Sequence, residues 1–400
     1  MTTALLYLSA RNAGKIDAFL PLLVHLAAQK SKIDAYTVVL FEDTDDDLRR
    51  SLFHLEAVDS LSTYFRPHIK SKILGRFRAV YKFLALFFLL SRLWILRRRI
   101  LVLAPWKAKS FSEKNLFKLI SCFGQIFHFP SLQVPTNSDY MLRFTNWDKL
   151  QSIGVKKPGK ITFTSPLPAV CYLETEKQYI LRDDVAEPIA IGIPRLYPSW
   201  IPFVRSFGGR QLSRALEQIG MDSDTPKFGV VILTNPSYHW FPNGDSDYPA
   251  MLREIIESSR RHFPGMPILL KPKPNMRGLF ETLLRKNGLL GDDVHLIDLG
   301  LAALASRAAW AATINESSGA FDFLCTNVPT IEYARYAPHW LEITPSGSAW
   351  RSLPGLIYVE SREALDQAMR STSRGELDVD NRQRLAEFFG HKENLELFFQ

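Results

Sequence analysis

The feature that most constrains the fold is an alternation of short apolar runs with helix-like segments along the second half of the chain. The apolar runs cover residues 229–234, 267–271, 294–298 and 310–314, and the helix-like segments cover 248–262, 279–286, 301–309 and a stretch from Ala320. This repeat predicts an α/β unit with a parallel sheet. Ligands bind such sheets at the carboxyl ends of the strands, so the loops after Thr234, Leu270, Asp298 and Ile314 are expected to share one edge.

The first third of the chain shows the same alternation. Residues 4–8 and 36–41 have the pattern of strands, and a helix is predicted between them from about residue 16 to residue 29. The loop SARNAGK after the first strand contains a single glycine. It lacks the G-x-G-x-x-G spacing, so no dinucleotide site is expected there.

The length of the chain predicts two domains, because 400 residues exceed what one hydrophobic core usually serves. Prolines cluster between residues 184 and 210, where a passage between domains is expected. We therefore predict an N-terminal domain over 1–185, a C-terminal domain over 186–380 and a C-terminal helix over 381–400.

The net charge of +8 is concentrated in one region, since residues 66–112 contain no Asp or Glu and twelve Lys or Arg. This regional charge predicts an anionic partner. Within it, the fourteen residues of FLALFFLLSRLWIL at 83–96 are interrupted by Arg92 and are short of the roughly 20 that a membrane span needs. They fit a buried crossover helix that leads into a strand at 100–103. They also fit a surface that enters a membrane interface beside anionic headgroups, and the two interpretations are compatible.

Several classes of function are disfavoured by composition and missing motifs. The three cysteines, Cys122, Cys171 and Cys325, have neither disulfide nor zinc-ligand spacing, and the N-terminus resembles a strand more than a signal peptide, so a cytoplasmic location is expected. No H-E-x-x-H, G-x-S-x-G or Walker A motif occurs, and no metal or other cofactor is predicted. RNA-recognition signatures are absent, so nucleic acid is not expected as a partner.

Two of the loops at the predicted sheet edge carry groups suited to a nucleotide. NPSYHWFPNGD contains Asn235, Tyr238 and His239, which could stack on a base or hold a sugar, although loops often carry such residues without a ligand. In KPKPN, prolines stiffen the backbone around Lys271 and Lys273, so two cations are held at a strand end. A diphosphate or a phosphodiester would suit them, and a solvated turn is the alternative.

A third loop, in INESSGAFDFL, runs directly into a helix. Asn315, Glu316, Ser317 and Ser318 form its polar part, and Glu316 or Ser317 is the expected N-cap. The helix start is a candidate phosphate site, because N–H groups and the positive end of the helix dipole meet there. Farther along, Glu332 stands at another predicted strand end and could hold a ribose hydroxyl or be a surface carboxylate.

Three segments together resemble a known group of enzymes. IGIPRLYPSWI at 191–201 resembles the G-x-P-R-x-D segment of CDP-glycerol glycerophosphotransferase-like and related bacterial surface-polysaccharide transferases, which include capsule Kdo- and sialyltransferases. KPKPN at 271–275 resembles their K-P-H-P loop, and SSGAFDFLCTNVPTIEY at 317–333 resembles their S-S-x-x-x-D-F-L…K-P-x-I segment. The order and the approximate spacing agree over about half of the chain.

This resemblance implies an α/β fold of the GT-B type, in which two Rossmann-like domains with parallel sheets face a cleft. The C-terminal domain would bind a nucleotide-linked donor, with CMP- or CDP-linked sugars favoured. Lys271, Lys273, Ser317 and Ser318 would meet the donor phosphates. The N-terminal domain would then lie on the acceptor side, with 66–112 as its membrane-facing region.

The implied activity is transfer of a sugar to a lipid-linked or growing bacterial surface glycan such as capsule or lipopolysaccharide. Lys273 replaces the histidine of the family loop, and in FTSPLP at 163–168 Phe163 stands where glycerophosphate-using members have the histidine of H-G-T-P-L. These departures favour a sugar transferase over a polyol-phosphate transferase of the CDP-glycerol type. A degenerate scaffold subunit of a glycan-assembly complex is a further alternative.

The catalytic groups predicted for this reaction come from both domains. Lys273 would stabilise charge that develops on the leaving nucleotide, and Asp17, the carboxylate nearest the SARNAGK loop, is the predicted general base. Arg11 and Lys15 are the predicted acceptor-binding cations. The partners would be a nucleotide-activated sugar, the glycan acceptor and the anionic surface of the inner membrane, with the protein in the cytoplasm or peripheral on that membrane.

Overall fold

The structure is a computed structural model, and it describes most of the chain. The described residues are 2–9, 16–29, 33–40, 51–67, 78–105, 111–130, 134–135, 168–179, 188–235, 241–243, 246–377 and 380–399. Arg11, Lys15, Tyr238, His239 and the segment FTSPLP lie outside them, apart from Pro168.

The chain folds as two compact units. The first consists of Met1–Gln133, Thr162–Trp200 and Lys392–Gln400, and the second consists of Val134–Ile161 and Ile201–His391. The last residues of the chain therefore belong to the first unit.

The first unit is built on a five-stranded sheet in which every pair of neighbours is parallel. Its strands are β1 (Thr3–Ser9), β2 (Ile33–Val39), β3 (Thr63–Phe65), β4 (Arg99–Ala104) and β5 (Gln125–His128), in the order β3-β2-β1-β4-β5. Nearly all of β1 and β4 is buried, because helices cover both faces of a parallel sheet and the strands must be apolar on both sides. A short parallel pair, β6 (Val170–Cys171) and β7 (Ile189–Ala190), belongs to the same unit.

The helices of the first unit connect these strands in sequence order. They are α1 (Ile16–Ala28), α2 (Leu52–Leu61), α3 (Arg78–Ile95) and α4 (Phe111–Ser121), followed by 3₁₀ turns at Glu174–Tyr179 and Pro194–Leu196. The predicted strand, helix, strand opening is confirmed. The predicted crossover helix into a strand near residue 100 is also confirmed, since α3 leads into β4. No helix in the described part of the chain is both long and apolar enough to cross a bilayer.

The second unit contains a six-stranded sheet, again entirely parallel. Its strands are β8 (Phe228–Ile232), β9 (Ile268–Lys271), β10 (Val294–Leu296), β11 (Ala308–Ile314), β12 (Thr330–Tyr333) and β13 (Leu356–Val359). The order β10-β9-β8-β11-β12-β13 is that of a Rossmann fold, with the chain reversing its direction of travel across the sheet between β8 and β11. Ligands of such sheets bind where the strand order reverses, at the carboxyl ends.

The helices of the second unit cover the two faces of this sheet. They are α6 (Gly209–Gln218), α7 (Asp247–His262), α8 (Arg277–Lys286), α9 (Leu301–Ala305), α10 (Ala320–Leu324), α11 (Pro338–Ile343), α12 (Arg362–Ser373) and α13 (Asn381–Phe388), preceded by a short α5 (Trp200–Phe203) and a π-helical turn at Val204–Gly208. The region predicted as one C-terminal helix, 381–400, contains two helices instead, α13 and α14 (Leu395–Phe399).

Candidate functional site

The ends of β8, β9 and β11 lie together at the carboxyl edge of the second sheet, and we call this edge, with the described residues that follow it, the rim. The amide of Leu233 donates to the carbonyl of Lys271 at 2.9 Å, which joins the ends of β8 and β9. The hydroxyl of Thr234 donates to the carbonyl of Ile314 at 2.8 Å, which joins the ends of β8 and β11. The residues that follow β9 and β11, which are distant in sequence, thus lie on either side of the end of β8.

The two lysines of KPKPN have different positions on this rim. Lys271 ends β9 and is buried; its Nζ donates to the carbonyl of Pro272 at 2.5 Å and lies 3.8 Å from Oδ1 of Asp298, at the end of β10. Lys273 is exposed, and its carbonyl accepts from the amide of Met276 in a tight turn. Lys271 therefore holds neighbouring strand ends together, whereas Lys273 is an exposed residue.

Arg277 is a third cation on this rim, and the sequence analysis missed it. It is the first residue of α8, its side chain is partly exposed, and its Nη1 lies 3.9 Å from Oδ2 of Asp298. A cation in the first turn of a helix opposes the helix dipole. That unfavourable placement, four residues after Lys273, is the sequence signal that could have identified it.

The first two polar residues after β11 hold the loop in place. Asn315 is fully buried in the left-handed region with φ 55°, a conformation that Asn tolerates better than most residues. Its Oδ1 accepts from the amide of Arg335 at 2.7 Å, after β12, and its own amide donates to the carbonyl of Tyr333 at 2.8 Å. Glu316 accepts from the amide of Ala349 at 2.7 Å. Both side chains therefore hold the loop in its conformation through hydrogen bonds to other segments.

Ser317 and Ser318 are the half-buried hydroxyls of this loop. Oγ of Ser317 accepts from the amide of Gly319 at 3.2 Å, and Gly319, rather than Glu316 or Ser317, is the N-cap of α10. The helix is five residues long, and its first amides are bonded to the carbonyls of residues 317–319. The dipole of so short a helix is weak. The hydroxyls and the nearby cations must therefore provide any affinity for phosphate.

Glu332 and Asn235 differ in how accessible they are. Glu332 is 1% exposed; Oε1 accepts from the Tyr336 hydroxyl and Oε2 from the Ser348 hydroxyl, both at 2.9 Å. It is the penultimate residue of a strand that is buried along its whole length, so its side chain points into the unit. Asn235 is half-buried in the loop after β8.

A cluster of polar side chains occupies the corresponding edge of the first sheet. Asp17 lies in the first turn of α1, after β1, and Ser51 and His54 lie at the start of α2, after β2. Oγ of Ser51 is 2.5 Å from Nδ1 of His54, and Nε2 of His54 bonds Oδ1 of Asp17. The His54 side chain is 9% exposed and the Asp17 side chain is 24% exposed. Of these two hydrogen-bonded side chains, the Asp17 carboxylate is therefore the more accessible to solvent.

The hydrogen bonds of this cluster define how it carries protons. An ionised carboxylate only accepts, so Nε2 of His54 must carry the proton that it shares with Asp17. The other ring nitrogen, Nδ1, bonds the Ser51 hydroxyl. The arrangement orients the Asp17 carboxylate and stabilises its negative charge, and a group held in this way can accept a proton from a substrate hydroxyl.

Two members of this cluster, Ser51 and His54, were missed by the sequence analysis. The signal was the spacing S-L-F-H at the start of a helix, where residues three apart share a face.

Beneath the cluster lies Tyr7, whose pKa is raised well above its ordinary value by burial and further by Tyr172 and Asp17. Its hydroxyl therefore stays protonated.

Sequence comparison assigns no family, since no family model matches the chain and no curated protein matches it. Solved structures match along nearly its whole length. A Listeria monocytogenes protein provisionally named UDP-N-acetylglucosamine 2-epimerase has a TM-score of 0.51 at 8% identity, covering 98% of this chain and 92% of its own. A glycosyltransferase from Rickettsia africae has a TM-score of 0.46 at 11% identity, covering 97% and 94%.

A third similar structure, an Arabidopsis thaliana protein complexed with UDP, has a TM-score of 0.47 at 15% identity and the same coverage, 97% and 94%. At such identities the likeness concerns the fold alone. Together with the two parallel sheets and their strand orders, the likeness to the Listeria protein confirms the predicted α/β fold: this chain has two Rossmann-like domains of the GT-B type.

Proposed function

We propose that this protein is a glycosyltransferase that moves a sugar from a nucleotide donor, CMP- or CDP-linked, to a lipid-linked or growing bacterial surface glycan. The observation that carries the proposal is the rim of the second sheet. There the exposed residue Lys273 and the hydroxyls of Ser317 and Ser318 follow the ends of β9 and β11, and each of these ends is hydrogen-bonded to the end of β8. Cations and hydroxyls at the carboxyl edge of a Rossmann sheet are suited to phosphate.

The proposed donor contacts divide into groups that touch the ligand and groups that support them. Lys273, Ser317 and Ser318 would contact the phosphates, with Arg277 adding charge from the start of α8. The nucleoside would lie against the loop after β8, which carries Asn235, Tyr238 and His239. Behind these contacts we place the supporting side chains, which are buried or bonded to other loops: Lys271, Asn315, Glu316 and Glu332.

The proposed reaction forms one bond and breaks another. The acceptor hydroxyl attacks the anomeric carbon, and the bond from that carbon to the phosphate oxygen breaks, with the electron pair leaving on the nucleotide. Negative charge therefore grows on the departing phosphate, where Lys273 would stabilise it. The hydroxyl proton would pass to Asp17, which His54 positions, and Arg11 and Lys15 remain the proposed acceptor-binding cations. We assign no cofactor to this chemistry.

A thermal-shift panel tests donor binding. The panel contains CMP, CDP, UDP and their linked sugars; UDP is included because the Listeria protein is named for a UDP-linked sugar. A ligand that binds only the folded state stabilises it by about 2.7 kcal/mol when present at about 100 times its Kd. We expect at least one nucleotide to raise the unfolding temperature in this way.

Matched variants assign that binding to the rim. Lys273→Ala should weaken the nucleotide by about tenfold or more, as expected for the loss of a charge-assisted contact of roughly 1.5–3 kcal/mol. Lys286→Ala, which removes an exposed lysine from the other end of α8, should leave affinity unchanged. If no nucleotide stabilises the protein, or if the two variants behave alike, the proposed donor site is wrong.

Product analysis separates this reaction from its two alternatives. A sugar transferase releases the free nucleotide from a CMP- or CDP-linked sugar when an acceptor is present. A polyol-phosphate transferase would leave the linked sugars intact and would consume CDP-glycerol, with release of CMP as glycerophosphate is transferred. A scaffold subunit would turn over neither, even with folded protein and bound nucleotide.

We further propose that the protein works in the cytoplasm and contacts the anionic surface of the inner membrane, where a lipid-linked acceptor would be found. The region 66–112, with twelve basic residues and no acidic ones, supports this location through its charge.

A further inference from the structure

One helix carries most of the exposed apolar surface of the described part of the chain. Twelve large apolar side chains are exposed there, and nine of them lie between residues 80 and 96. These nine are Val80, Tyr81, Phe83, Leu84, Phe87, Phe88, Trp94, Ile95 and Leu96. All but Leu96 belong to α3, and Phe88, Trp94 and Ile95 are 67%, 62% and 71% exposed. Exposed patches of this kind mark interaction surfaces.

The exposure follows from a helix that is apolar on two opposite sides. Leu86, Leu90 and Leu93 recur at helical spacing, are almost completely buried, and pack with strand residues in one hydrophobic core. The opposite side of the helix carries Leu84, Phe88 and Ile95 and is equally apolar. A helix with this composition needs cover on both sides, and the unit covers only one. We call the exposed side, with Trp94 at its edge, the outer face of α3.

The described charged side chains around the outer face are positive. Arg92 and Arg97 are exposed at the C-terminal end of α3, and the helix contains no acidic residue. Arg98 and Arg99 have other roles: Arg98 lies 3.1 Å from a carboxylate oxygen of Asp34, and Arg99 donates to the carbonyl of Phe399 at 2.5 Å. Among the described side chains at this end of the helix, Arg92 and Arg97 are therefore the cations we assign to a partner.

We infer that the outer face of α3 docks on an anionic lipid bilayer, lying along its surface with the large apolar side chains in the interface. Apolar side chains on one face with arginines beside them are the pattern of an interfacial helix, and Trp94 and Tyr81 have the amphipathic rings that favour the headgroup level. This inference assigns residues to the membrane contact that is part of the proposed function. It rests on the proposed function only for the acceptor being lipid-linked.

Charge favours a lipid surface over a second copy of this chain. In a two-fold dimer the same patch meets itself, so a face with basic and no acidic side chains on its helix would meet another of the same charge. The helix offers no carboxylate to pair with them. An anionic lipid surface supplies negative charge and apolar volume together.

Vesicle sedimentation of the full-length protein tests the inference. We expect the protein to sediment with vesicles of phosphatidylethanolamine and phosphatidylglycerol, to bind phosphatidylcholine vesicles much more weakly, and to be released as salt is raised. Brominated lipid chains should quench part of the tryptophan fluorescence, and Trp94→Phe should remove that part. Equal binding to both lipid mixtures, or no binding to either, overturns the inference.

Two pairs of variants separate the apolar and basic contributions. Phe88→Gln with Ile95→Gln should reduce vesicle affinity by roughly a hundredfold, about tenfold for each large side chain withheld from the bilayer. Arg92→Gln with Arg97→Asn should reduce affinity for anionic vesicles by about tenfold or more, at roughly 1 kcal/mol per cation. Asn is chosen at 97 because that residue has φ 54°.

The control variants make the same changes elsewhere. Leu279→Gln with Phe388→Gln alters two other exposed apolar residues, and Arg285→Gln with Arg374→Gln alters two other exposed arginines. Both should bind vesicles like the wild type. If they lose binding equally, or if Phe88→Gln with Ile95→Gln binds normally, the outer face is not the docking surface.

The remaining outcomes identify other occupants. A dimer in solution that Phe88→Gln with Ile95→Gln dissociates, without vesicle binding, would assign the face to a second copy and overturn the inference. Stabilisation of the protein by nucleotide should be unchanged in Phe88→Gln with Ile95→Gln. Failure of membrane docking is thereby distinguished from failure of the proposed donor site.

Discussion

Asp17 and His54 are the pair of residues with the sharpest functional consequence. Asp17→Asn should lower the rate of transfer by about 100-fold or more while leaving stability almost unchanged, because a general base contributes on the order of 10²–10⁴ and this side chain is partly exposed. Asp59→Asn removes an exposed carboxylate from α2 and serves as the matched control. A transfer rate in Asp17→Asn equal to that of the control would remove Asp17 from the mechanism.

His54 is a positioning residue in this scheme, and pH dependence distinguishes that role from a purely structural one. His54→Ala should move the acidic limb of the pH–rate profile to higher pH, because the carboxylate loses the N–H donor that stabilises its charge. A lower rate with an unshifted profile would show that His54 only maintains the fold.

At the level of elements, β8 and β11 pack so closely that a larger side chain cannot be added at Gly229 without a clash. Gly229 in β8 pairs in register with Trp310 in β11, and a Cβ atom built on Gly229 would lie 2.0 Å from the Trp310 ring. The ring is completely buried. These are the two strands between which the order of the sheet reverses, so this contact supports the rim directly.

Gly229→Ala should therefore lower the free energy of unfolding by about 1–3 kcal/mol, the usual cost of overpacking a core. Urea unfolding measures the change, and Gly278→Ala is the control, because a Cβ atom there meets nothing within 4 Å. Combining Gly229→Ala with Trp310→Phe should recover part of the loss, since the smaller ring leaves space. Wild-type stability in Gly229→Ala alone would refute this account of the β8–β11 contact.

For the whole molecule, His391 predicts how stability depends on pH. Burial, and secondly the charge of Arg382, lower the pKa of His391 to about 4. Near neutral pH the imidazole is uncharged in both the folded and unfolded states. As the pH falls below about 6.5, the unfolded chain takes up a proton that the folded protein does not, so stability falls until the pH approaches 4.

The expected loss over that range is about 1–2 kcal/mol, after allowing for the partial exposure of the side chain. Calorimetry between pH 7 and pH 4 should show it as a lower unfolding temperature, and His391→Gln should lose less over the same range. Parallel curves for the two proteins would contradict the assignment to His391.

The elements and their order could be predicted from the sequence because the signals are local. The apolar runs of β1, β8, β9 and β11 and the helices between them follow from patterns within a few residues. The same reasoning placed KPKPN and INESSGAFDFL at one sheet edge, and the bonds through β8 confirm that adjacency. It also identified α3 as apolar and basic, but could not divide its residues between a buried side and an exposed one.

What only the tertiary structure decided is which polar groups have partners far away in the chain. Asp17 meets His54 across 37 residues, and Glu332, predicted at an accessible strand end, is buried against Tyr336 and Ser348. Lys271 and Lys273 are alike and nearly adjacent in sequence, yet one is buried beside Asp298 and the other is exposed. The sequence by itself determined the strands, helices and candidate loops, because backbone preference and apolar periodicity act over short distances. Burial and long-range hydrogen bonding depend on how distant segments pack, and that packing decided which side chains of each loop remain available to a ligand.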